Sequence, residues 1–339
     1  MLVADGIHWF RVKIPVGPKH GNIYLLEDSD GPVLIDAGFP SDEVWTELTA
    51  QMSRVGYAPR DIVTVIGTHE HQDHAGASAR LRELFGTTVW LHESAFLNTN
   101  RFANNRDYWS PTGRQWWSRI GLPADELALM EQDFNNTPPI EPFEYDRGLT
   151  EGEILTIGGH DYQVIWTPGH SEAHICLYDM RRRILFSGDH VLPKITPHIA
   201  RDHATRPNPL QDYKRSLSKV ARLPLDLVLP GHYRPFKNGT GRIAEIQQHH
   251  EERMRAVEQT LGHKGRTAWE ITWDVFGDNP SLVDRQLACS ETIANLYYLA
   301  ACGRVDIEEG DPVTLYSRSG KLTGYIGSRC PPVEAPART

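Results

Sequence analysis

The feature that most constrains this chain is a series of short apolar segments, each followed by a turn that carries histidine or aspartate. Apolar runs of this length, bounded by turn residues, predict β-strands that are covered on both faces. The predicted strands lie at residues 21–26, 33–36, 62–67, 154–157, 162–166, 174–178, 184–186 and 227–229. Because several turns with the same chemistry follow these strands, we expect them to converge on one functional site.

Helical patterns separate these strands. Apolar residues recur at helical spacing over 42–55 and 76–85, which predicts helices that cover the sheet and gives an α/β sandwich. Residues 98–140 set several tryptophans among polar residues and indicate a helical cap insertion. The stretch 243–261 contains no glycine or proline, so we expect a long linker helix there.

The length of the chain and these patterns predict two domains. At 339 residues the chain can form one large domain and an appendage. We expect a catalytic domain at 1–240 and, at 241–339, the linker helix and a small helical unit closed by a β-hairpin, winged-helix-like in outline. The first residues do not resemble a signal peptide, and no segment approaches the roughly 18 apolar residues of a membrane span. The expected location is the cytoplasm, without membrane attachment.

The turn after the third predicted strand carries the densest set of metal-binding side chains. His69, His71, Asp73 and His74 lie within the run Thr68–His74. Neutral imidazole and carboxylate are suitable ligands for zinc and for other first-row divalent ions. A tight loop at a strand end can aim His69 and His71 at one ion while Asp73 and His74 face a second. The sequence therefore predicts a two-metal site.

Three later turns and one earlier aspartate supply further polar groups at strand ends. The turns are 167–170, 187–190 and 230–233, and Asp36 ends the strand at 33–36. The residues in the three turns that we single out are His170, Asp189, His190, His232 and Tyr233. Such a set is far more specific than one histidine-rich loop.

With these motifs, residues 1–240 resemble the metallo-β-lactamase superfamily. The resemblance implies an αββα sandwich with the metals at one edge. The implied ligands of the first metal are His69, His71 and His170, and those of the second are Asp73, His74 and His232. By the same resemblance Asp189 bridges the two metals, and Asp36 orients a ligand.

Two positions within the motifs narrow the class of reaction. Flavodiiron members of the superfamily carry glutamate where His71 stands, and the commonest antibiotic-hydrolysing members carry cysteine where Asp189 stands. We therefore expect neither electron transfer nor β-lactam hydrolysis. The aspartate at 189 is similar to that of hydroxyacylglutathione hydrolases (glyoxalase II), thioesterases, lactonases and nucleases.

The expected reaction is attack by a metal-bound hydroxide on a carbonyl group. Two divalent cations, zinc by preference and iron or manganese as alternatives, lower the pKa of a bridging water and polarise the substrate. In this hypothesis Asp73, His74 and Asp189 act in catalysis as well as in metal binding. The hydroxyl group of Tyr233 is a candidate donor to the oxyanion or leaving group, although a partly buried tyrosine with no such role explains it as well.

The expected substrate is a small acyl compound, preferably a thioester of coenzyme A, an acyl carrier protein or glutathione, and next a lactone. In this hypothesis the aromatic cap determines substrate selectivity, because its tryptophans can line an apolar channel. Packing of a small helical cap is the alternative explanation. The candidate substrate contacts are Trp109, Trp116, Trp117, His198 and Arg253.

Charge argues against nucleic acid as the partner. The 35 basic and 44 acidic residues give a formal charge of −9, which repels phosphates unless a local basic face overrides it. The C-terminal unit resembles a winged-helix appendage that endoribonuclease and thioesterase-like members share, but its wing carries Asp306, Glu308, Glu309 and Asp311. We therefore expect this unit to pack against the catalytic domain or a second subunit in a homodimer.

Three other functions stay open from the sequence. An endoribonuclease or phosphodiesterase of the same superfamily needs a local basic groove. A mononuclear iron persulfide dioxygenase uses a similar first-metal set. A non-catalytic binding protein can keep the fold, although a complete ligand set argues against the loss of chemistry. The four cysteines are too scattered for a disulfide framework, so we expect plain thiols at 176, 289, 302 and 330.

Overall fold

The computed structural model describes residues 1–15, 17–95, 111–136, 144–203, 205–277 and 281–320. The candidate Trp109 lies outside these residues. The chain divides into two compact units. The first unit comprises 1–103, 140–197 and 220–244, and the second comprises 104–139, 198–219 and 245–339. The expected division at residue 240 stays a prediction.

A seven-stranded sheet forms the first layer of the first unit. The strands follow one another in chain order: β1 Leu2–Ala4, β2 Ile7–Lys13, β3 His20–Leu26, β4 Val33–Ile35, β5 Thr64–Ile66, β6 Thr88–His92 and β7 Arg147–Leu149. Neighbours are antiparallel from β1 to β4 and parallel from β4 to β7. The parallel strands β4 and β5 therefore end at the same edge, where Asp36 and the turn 67–74 begin.

A five-stranded sheet forms the second layer of this unit. Its order is β12-β11-β10-β9-β8, and its strands are β8 Ile154–Ile157, β9 His160–Trp166, β10 Ile175–Asp179, β11 Ile184–Gly188 and β12 Leu227–Pro230. Only the pair β11 and β12 is parallel among these neighbours. The carboxyl ends of β9, β11 and β12 lead directly into the three turns that the sequence singled out.

The two sheets pack face to face around one apolar core. This core takes Tyr24 and Ile35 from the first sheet and Leu177 and Phe186 from the second. The rings of Tyr24 and Phe186 meet edge to face, with their centroids 5.3 Å apart, a geometry that adds to the burial of both rings. The packing fixes the strand ends of both sheets relative to each other.

Three helices accompany the first sheet: α1 Asp42–Ser53, α2 Gln72–Ala75 and α3 Ser78–Phe85. Helix α1 begins at Ser41, whose side chain accepts a hydrogen bond from the amide of Val44; a cap of this kind stabilises a helix by about 1 kcal/mol. Val44, Leu48 and Met52 recur at helical spacing and are buried against the outer face of the sheet. A single polar residue at Leu48 would break this face.

The remaining elements are helical except for one pair of strands. They are α4 Pro111–Arg119, α5 Ala124–Asn136, α6 Pro209–Val220, α7 Gly239–Gln259, α8 Ala268–Phe276, α9 Leu282–Ala301, β13 Val305–Glu308 and β14 Leu315–Arg318. The strands β13 and β14 pair antiparallel, as the sequence predicts. Within the second unit the residues after α4 bind the C-terminal part of the chain, because Trp269 donates its amide to the carbonyl of Ile120.

The α/β sandwich is confirmed, and the long helix expected at 243–261 is α7, which begins four residues earlier. The winged-helix outline of the C-terminal unit stays a prediction. Cys176 and Cys289 are buried thiols, as expected. Cys302 is disulfide-bonded, so the expectation of a plain thiol is wrong there; sequence spacing does not reveal which cysteines approach within disulfide distance. Among the described residues, no helix has the length and hydropathy needed to span a bilayer.

Candidate metal centre

The turn after β5 gathers three imidazole nitrogens with the turn after β9. His69 Nε2 lies 2.9 Å from His71 Nδ1, and His170 Nε2 lies 3.1 Å from the same atom. These atoms come from turns 99 residues apart in the chain. Their arrangement suits a cation that accepts three nitrogen ligands.

A second group joins the start of α2 to the turn after β12. Asp73 Oδ2 lies 3.3 Å from His232 Nε2 and 3.7 Å from His74 Nε2. One ligand atom from each of these three residues lies within 4.8 Å of the other two, as in the first group. Two groups of three potential ligand residues, with imidazole or carboxylate side chains, therefore lie side by side at one edge of the sandwich.

Asp189, directly after β11, contacts both groups. Its Oδ2 lies 3.7 Å from His170 Nε2 and 3.3 Å from His232 Nε2, and its Oδ1 lies 3.5 Å from His74 Nε2. The two carboxylate oxygens thus face nitrogens of the two groups. This is the position that a bridging ligand requires.

Two buried atoms of this site fit a metal. His74 Nε2 and Asp189 Oδ1 are buried and have no hydrogen-bond partner. A buried polar atom without a partner costs about 1–3 kcal/mol, and a divalent cation would satisfy both atoms. At Gly231 an added Cβ would lie 2.5 Å from His74 Cε1 and 2.6 Å from Asp189 Oδ1. The chain therefore keeps this space clear of side chains.

The other ring nitrogen of three histidines has a partner that fixes the orientation of the ring. His74 Nδ1 lies 2.8 Å from Asp36 Oδ2, and His232 Nδ1 lies 2.8 Å from the carbonyl oxygen of His20. His69 Nδ1 lies 3.1 Å from Thr68 Oγ1. A proton on Nδ1 leaves Nε2 free to bind a metal, which is the usual arrangement of histidine ligands.

Asp36 connects the ends of β4 and β5. Its Oδ1 accepts the amide of Thr68 at 2.7 Å, and its Oδ2 accepts the hydroxyl of Thr68 at 3.0 Å in addition to its contact with His74. Asp36 has a φ of 61°, a left-handed conformation that non-glycine residues adopt at some cost. The contact with His74 agrees with the orienting role that the resemblance implies, and the role itself stays a prediction.

Charges in the site are strongly coupled. Burial works against ionised carboxylates here, but the charges of His232 and His74 hold the pKa of Asp189 well below its usual range. Burial also opposes a charged imidazole, yet Asp189 and Asp73 raise the pKa of His232 to about 10. The site therefore retains two ionised carboxylates that attract positive charge, and a bound metal would displace protons from its histidines.

The sequence that carries these motifs matches a known superfamily. Residues 16–232, more than half of the chain, match the family model of the Metallo-beta-lactamase superfamily. The protein belongs to this superfamily.

Similar proteins align with 69% to 94% of the chain. A probable metallo-hydrolase of Bacillus subtilis is 28% identical over 88% of this chain and 94% of its own. The human acyl-coenzyme A thioesterase MBLAC2 is 27% identical over 69% of this chain and 80% of its own. The crystal structure of a metallo-beta-lactamase family protein from Thermus thermophilus has a TM-score of 0.81 at 29% identity, covering 94% of this chain and 100% of that one. The chain is thus a member of a metallo-hydrolase superfamily.

Next to the metallo-β-lactamase motifs, His174 fixes the backbone of Asp189. Its Nε2 accepts the amide of Asp189 at 3.1 Å, so its proton lies on Nδ1, which donates to Thr167 Oγ1 at 2.7 Å. Burial holds the pKa of His174 well below its usual value, so the ring stays neutral. At Gly188, with φ +46°, an added Cβ would lie 2.7 Å from His174 Nε2. Because it opens the strand that follows the turn of His170, the sequence predicts that His174 packs near the site without binding metal, and its contacts agree.

Strand β3 holds the turn that carries His232. Asn22 Nδ2 donates to the carbonyls of Pro230 and Tyr233, both at 2.7 Å, and Tyr24 Oη donates to the carbonyl of Pro230 at 2.8 Å. Tyr233 has a φ of 68°, so these bonds stabilise a strained turn. Asn22 was not predicted as a site residue, although an amide inside an apolar strand was the available signal.

A buried carboxylate holds the turn that carries His170. Ser171 Oγ donates to Glu70 Oε2 at 2.5 Å, and both residues are buried. Glu70 comes between two members of the first group, so this bond ties the two turns together. Glu70 was not predicted either, because a glutamate between candidate metal ligands is indistinguishable in sequence from a residue of a polar loop.

Two further residues that were singled out in the sequence are Tyr233 and His190. The side chain of Tyr233 is half-buried, and Lys194 Nζ lies 5.8 Å from its ring centroid. His190 is fully buried, with its ring centroid 6.0 Å from that of His174. A catalytic role for Tyr233 stays a prediction.

The predicted substrate contacts lie in the second unit. Trp117 is fully buried and Trp116 half-buried, with their ring centroids 5.0 Å apart. The burial of Trp117 favours the packing alternative for that residue. His198 Nε2 contacts the carbonyl of Leu287 at 3.0 Å. Their roles toward substrate stay predictions.

Arg253 is also engaged within the second unit. Its Nε lies 3.2 Å from Glu291 Oε1, and its guanidinium lies 4.0 Å from the ring centroid of Phe276. The sequence predicts that the linker helix carries His249, His250 and Arg253 on a solvated face, but His250 is buried. That expectation is wrong for His250, because the face of α7 that carries it packs against Tyr213, with ring centroids 5.3 Å apart.

Proposed function

We propose that this protein is a dinuclear metal-dependent hydrolase that cleaves thioester bonds, with acyl-coenzyme A as the leading substrate class. The observation that carries the proposal is the position of Asp189, whose Oδ2 lies 3.7 Å from His170 Nε2 of the first group and 3.3 Å from His232 Nε2 of the second. A site with one metal would need only one of these groups.

In this proposal the ligands follow the two groups. His69, His71 and His170 would hold one cation, Asp73, His74 and His232 would hold a second, and Asp189 would contribute to both. When bound, the pair of cations supplies a water of lowered pKa and polarises the substrate carbonyl. Zinc is the expected metal, and iron and manganese accept the same ligands.

The residues of the chain orient and expose this centre. The side chain of Asp73 is 21% exposed, whereas those of His74 and His232 are 1% and 2% exposed. Solvent and substrate therefore reach the centre on the side of Asp73. Tyr233, next to His232, is placed by Asn22 and is our candidate donor to the oxyanion.

Two observations support a thioester as the substrate. Relatives that align with about two thirds of this chain are named acyl-coenzyme A thioesterases in human, cattle and chicken. The aspartate at 189 also agrees with the ester-cleaving branches of the superfamily. Thioesters of glutathione and of an acyl carrier protein, and lactones, belong to the same carbonyl class and are included in the test.

A side-by-side assay tests this proposal. Protein purified without added metal is analysed for metal content and then assayed with acyl-coenzyme A, S-lactoylglutathione, a homoserine lactone and single-stranded RNA, each with added zinc or manganese. We expect two metal ions per chain and hydrolysis of acyl-coenzyme A. Cleavage of RNA alone, or oxygen consumption with a persulfide and one iron per chain, would contradict the proposal.

A further inference from the structure

A cavity of about 370 Å³ lies at the edge of the first sheet, where α1 meets β2 and the start of β3. Its volume is within the range of small-molecule clefts. Its polar lining consists of Arg11, Lys13, His20, Glu47, Gln51 and Arg54. All of these residues belong to the first unit. We call this cavity the cationic pocket.

The cationic pocket has an excess of positive charge. Lys13 Nζ lies 3.2 Å from Glu43 Oε1 and 3.8 Å from Glu47 Oε1, so both carboxylates are used by one lysine. Among the described residues, Arg11 and Arg54 form no ion pair with a carboxylate. Because the chain as a whole has a formal charge of −9, this local excess of positive charge indicates a site for an anionic ligand.

The walls of the pocket are held in place by hydrogen bonds. Gln51 Nε2 donates to the carbonyl of Arg11 at 2.8 Å, and the amide of Arg11 donates to Gln51 Oε1 at 3.2 Å. The amide of Lys13 donates to Glu47 Oε2 at 2.8 Å. Side chains of α1 thus occupy the free edge of β2. A cavity that is formed before binding loses less entropy when a ligand enters it.

The pocket is close to the metal centre. His20 lines the pocket, and its carbonyl oxygen accepts His232 Nδ1 at 2.8 Å. The next residue, Gly21, is also close to the site: an added Cβ there would lie 3.4 Å from the carbonyl of Asp73. One residue and one hydrogen bond therefore separate the pocket lining from a predicted metal ligand. In a coenzyme A thioester, the phosphopantetheine arm would have to span this separation.

We infer that the cationic pocket binds the phosphate groups of the thiol carrier, so that Arg11 and Arg54 select a coenzyme A thioester over a thioester without phosphate. This inference rests on the proposed function. The planar guanidinium group offers paired N–H donors that match a phosphate. Because no carboxylate among the described residues competes for these two arginines, their donors are available to a ligand.

The first experiment measures binding without turnover. Adenosine 3′,5′-bisphosphate and coenzyme A are titrated calorimetrically onto the full chain, and onto Arg11→Ala, Arg54→Ala and the double variant. We expect each substitution to weaken binding by about tenfold, as for the loss of a charge-assisted hydrogen bond. The matched control is Arg181→Ala, an exposed arginine at the opposite end of β11 from Asp189. This control should bind both compounds like the wild type.

The second experiment compares KM for acyl-coenzyme A with KM for the same acyl group on N-acetylcysteamine. The double variant should raise the first KM by about a hundredfold and leave the second KM and both kcat values unchanged. The inference would be overturned if the wild type and the double variant bound the bisphosphate with equal affinity, or if neither protein bound it.

Two further outcomes separate this inference from the proposed function. If the wild type hydrolyses no thioester, the proposed function fails, and the bisphosphate titration still decides whether the pocket binds phosphate. The second outcome is that the wild type binds an oligoribonucleotide but not the bisphosphate, and that the double variant no longer binds the oligoribonucleotide. In that case the pocket binds a nucleic acid, and the inference that it binds the phosphates of coenzyme A is wrong.

Discussion

Two buried histidines show how differently this molecule treats positive charge. His232, at the metal centre, has a pKa raised to about 10 because Asp189 and Asp73 outweigh its burial. His250, on α7, has a pKa lowered to about 3, chiefly by burial and with no carboxylate among the causes. Burial, together with neighbouring cationic groups, thus expels a proton from His250, whereas paired carboxylates retain the charge on His232. The metal centre is built to hold cations, whereas the surroundings of His250 exclude them.

The largest effect is expected from removing the charge that joins the two groups. Asp189→Asn keeps the shape of the side chain but loses a negative charge, so we expect loss of most bound metal and a fall in kcat of about 10³-fold or more. Metal analysis and assays with acyl-coenzyme A measure both. Asp226→Asn, at a carboxylate whose side chain is 67% exposed, controls for the charge change. Full activity in metal-free Asp189→Asn would refute the role of the centre.

A smaller loss is expected from loosening the turn that carries His232. In Asn22→Asp an ionised carboxylate faces the carbonyls of Pro230 and Tyr233, so two hydrogen bonds become repulsive contacts. Loss of such support for a ligand lowers metal affinity by about 10- to 100-fold. Tyr24→Phe is the milder variant, because Pro230 keeps the bond from Asn22. Competition with a zinc chelator gives the affinities, and unchanged zinc binding in Asn22→Asp would argue against the turn as a support.

A third effect concerns the space around Asp189. In Gly188→Ala the new Cβ would meet His174 and Thr68 within 2.8 Å and would also strain a backbone with φ +46°. We expect a loss of about 1–3 kcal/mol in the free energy of unfolding from the contact, together with weaker metal binding. Gly86→Ala has a φ of +72° and open space around it, so it isolates the backbone strain. Equal losses in the two variants would show that the contact with His174 is unimportant.

The smallest expected effect concerns His250, the buried histidine outside the metal centre. The folded chain keeps His250 neutral down to about pH 3, whereas the unfolded chain protonates it near pH 6.5. Its neutral form therefore contributes fully above pH 6.5, and stability is lost as the pH falls below that value. Between pH 7.5 and 5.5 the wild type should lose about 1.4 kcal/mol more than His250→Phe in metal-free urea unfolding. An identical pH dependence in both proteins would contradict this account of His250.

The parts of the site that could be predicted from sequence are those whose residue type and position carry the meaning. His69, His71 and Asp73 follow a strand, and a strand end places its turn at the sheet edge whatever the rest of the fold does. Asn22 could not be assigned in this way, because its role depends on which carbonyls a distant turn brings to it. The same holds for Trp117 and His250, whose burial depends on contacts formed only in the folded chain.

The fold was predictable where apolar runs are uninterrupted and less so elsewhere. Strand β3 is apolar over most of its length, and the prediction found it. Strand β2 was missed because His8 and Arg11 interrupt its apolar run, and His8 is nonetheless buried. Strand β6 was also missed, and so was helix α6, whose polar residues conceal its buried face. Tertiary packing decides such segments more than local preference does.

The measurement that tests the central claim most directly is anomalous diffraction from crystals grown with zinc. The account predicts two peaks, one among His69, His71 and His170 and one among Asp73, His74 and His232, with the carboxylate of Asp189 between them. A single peak, or none with these side chains apart, would contradict it.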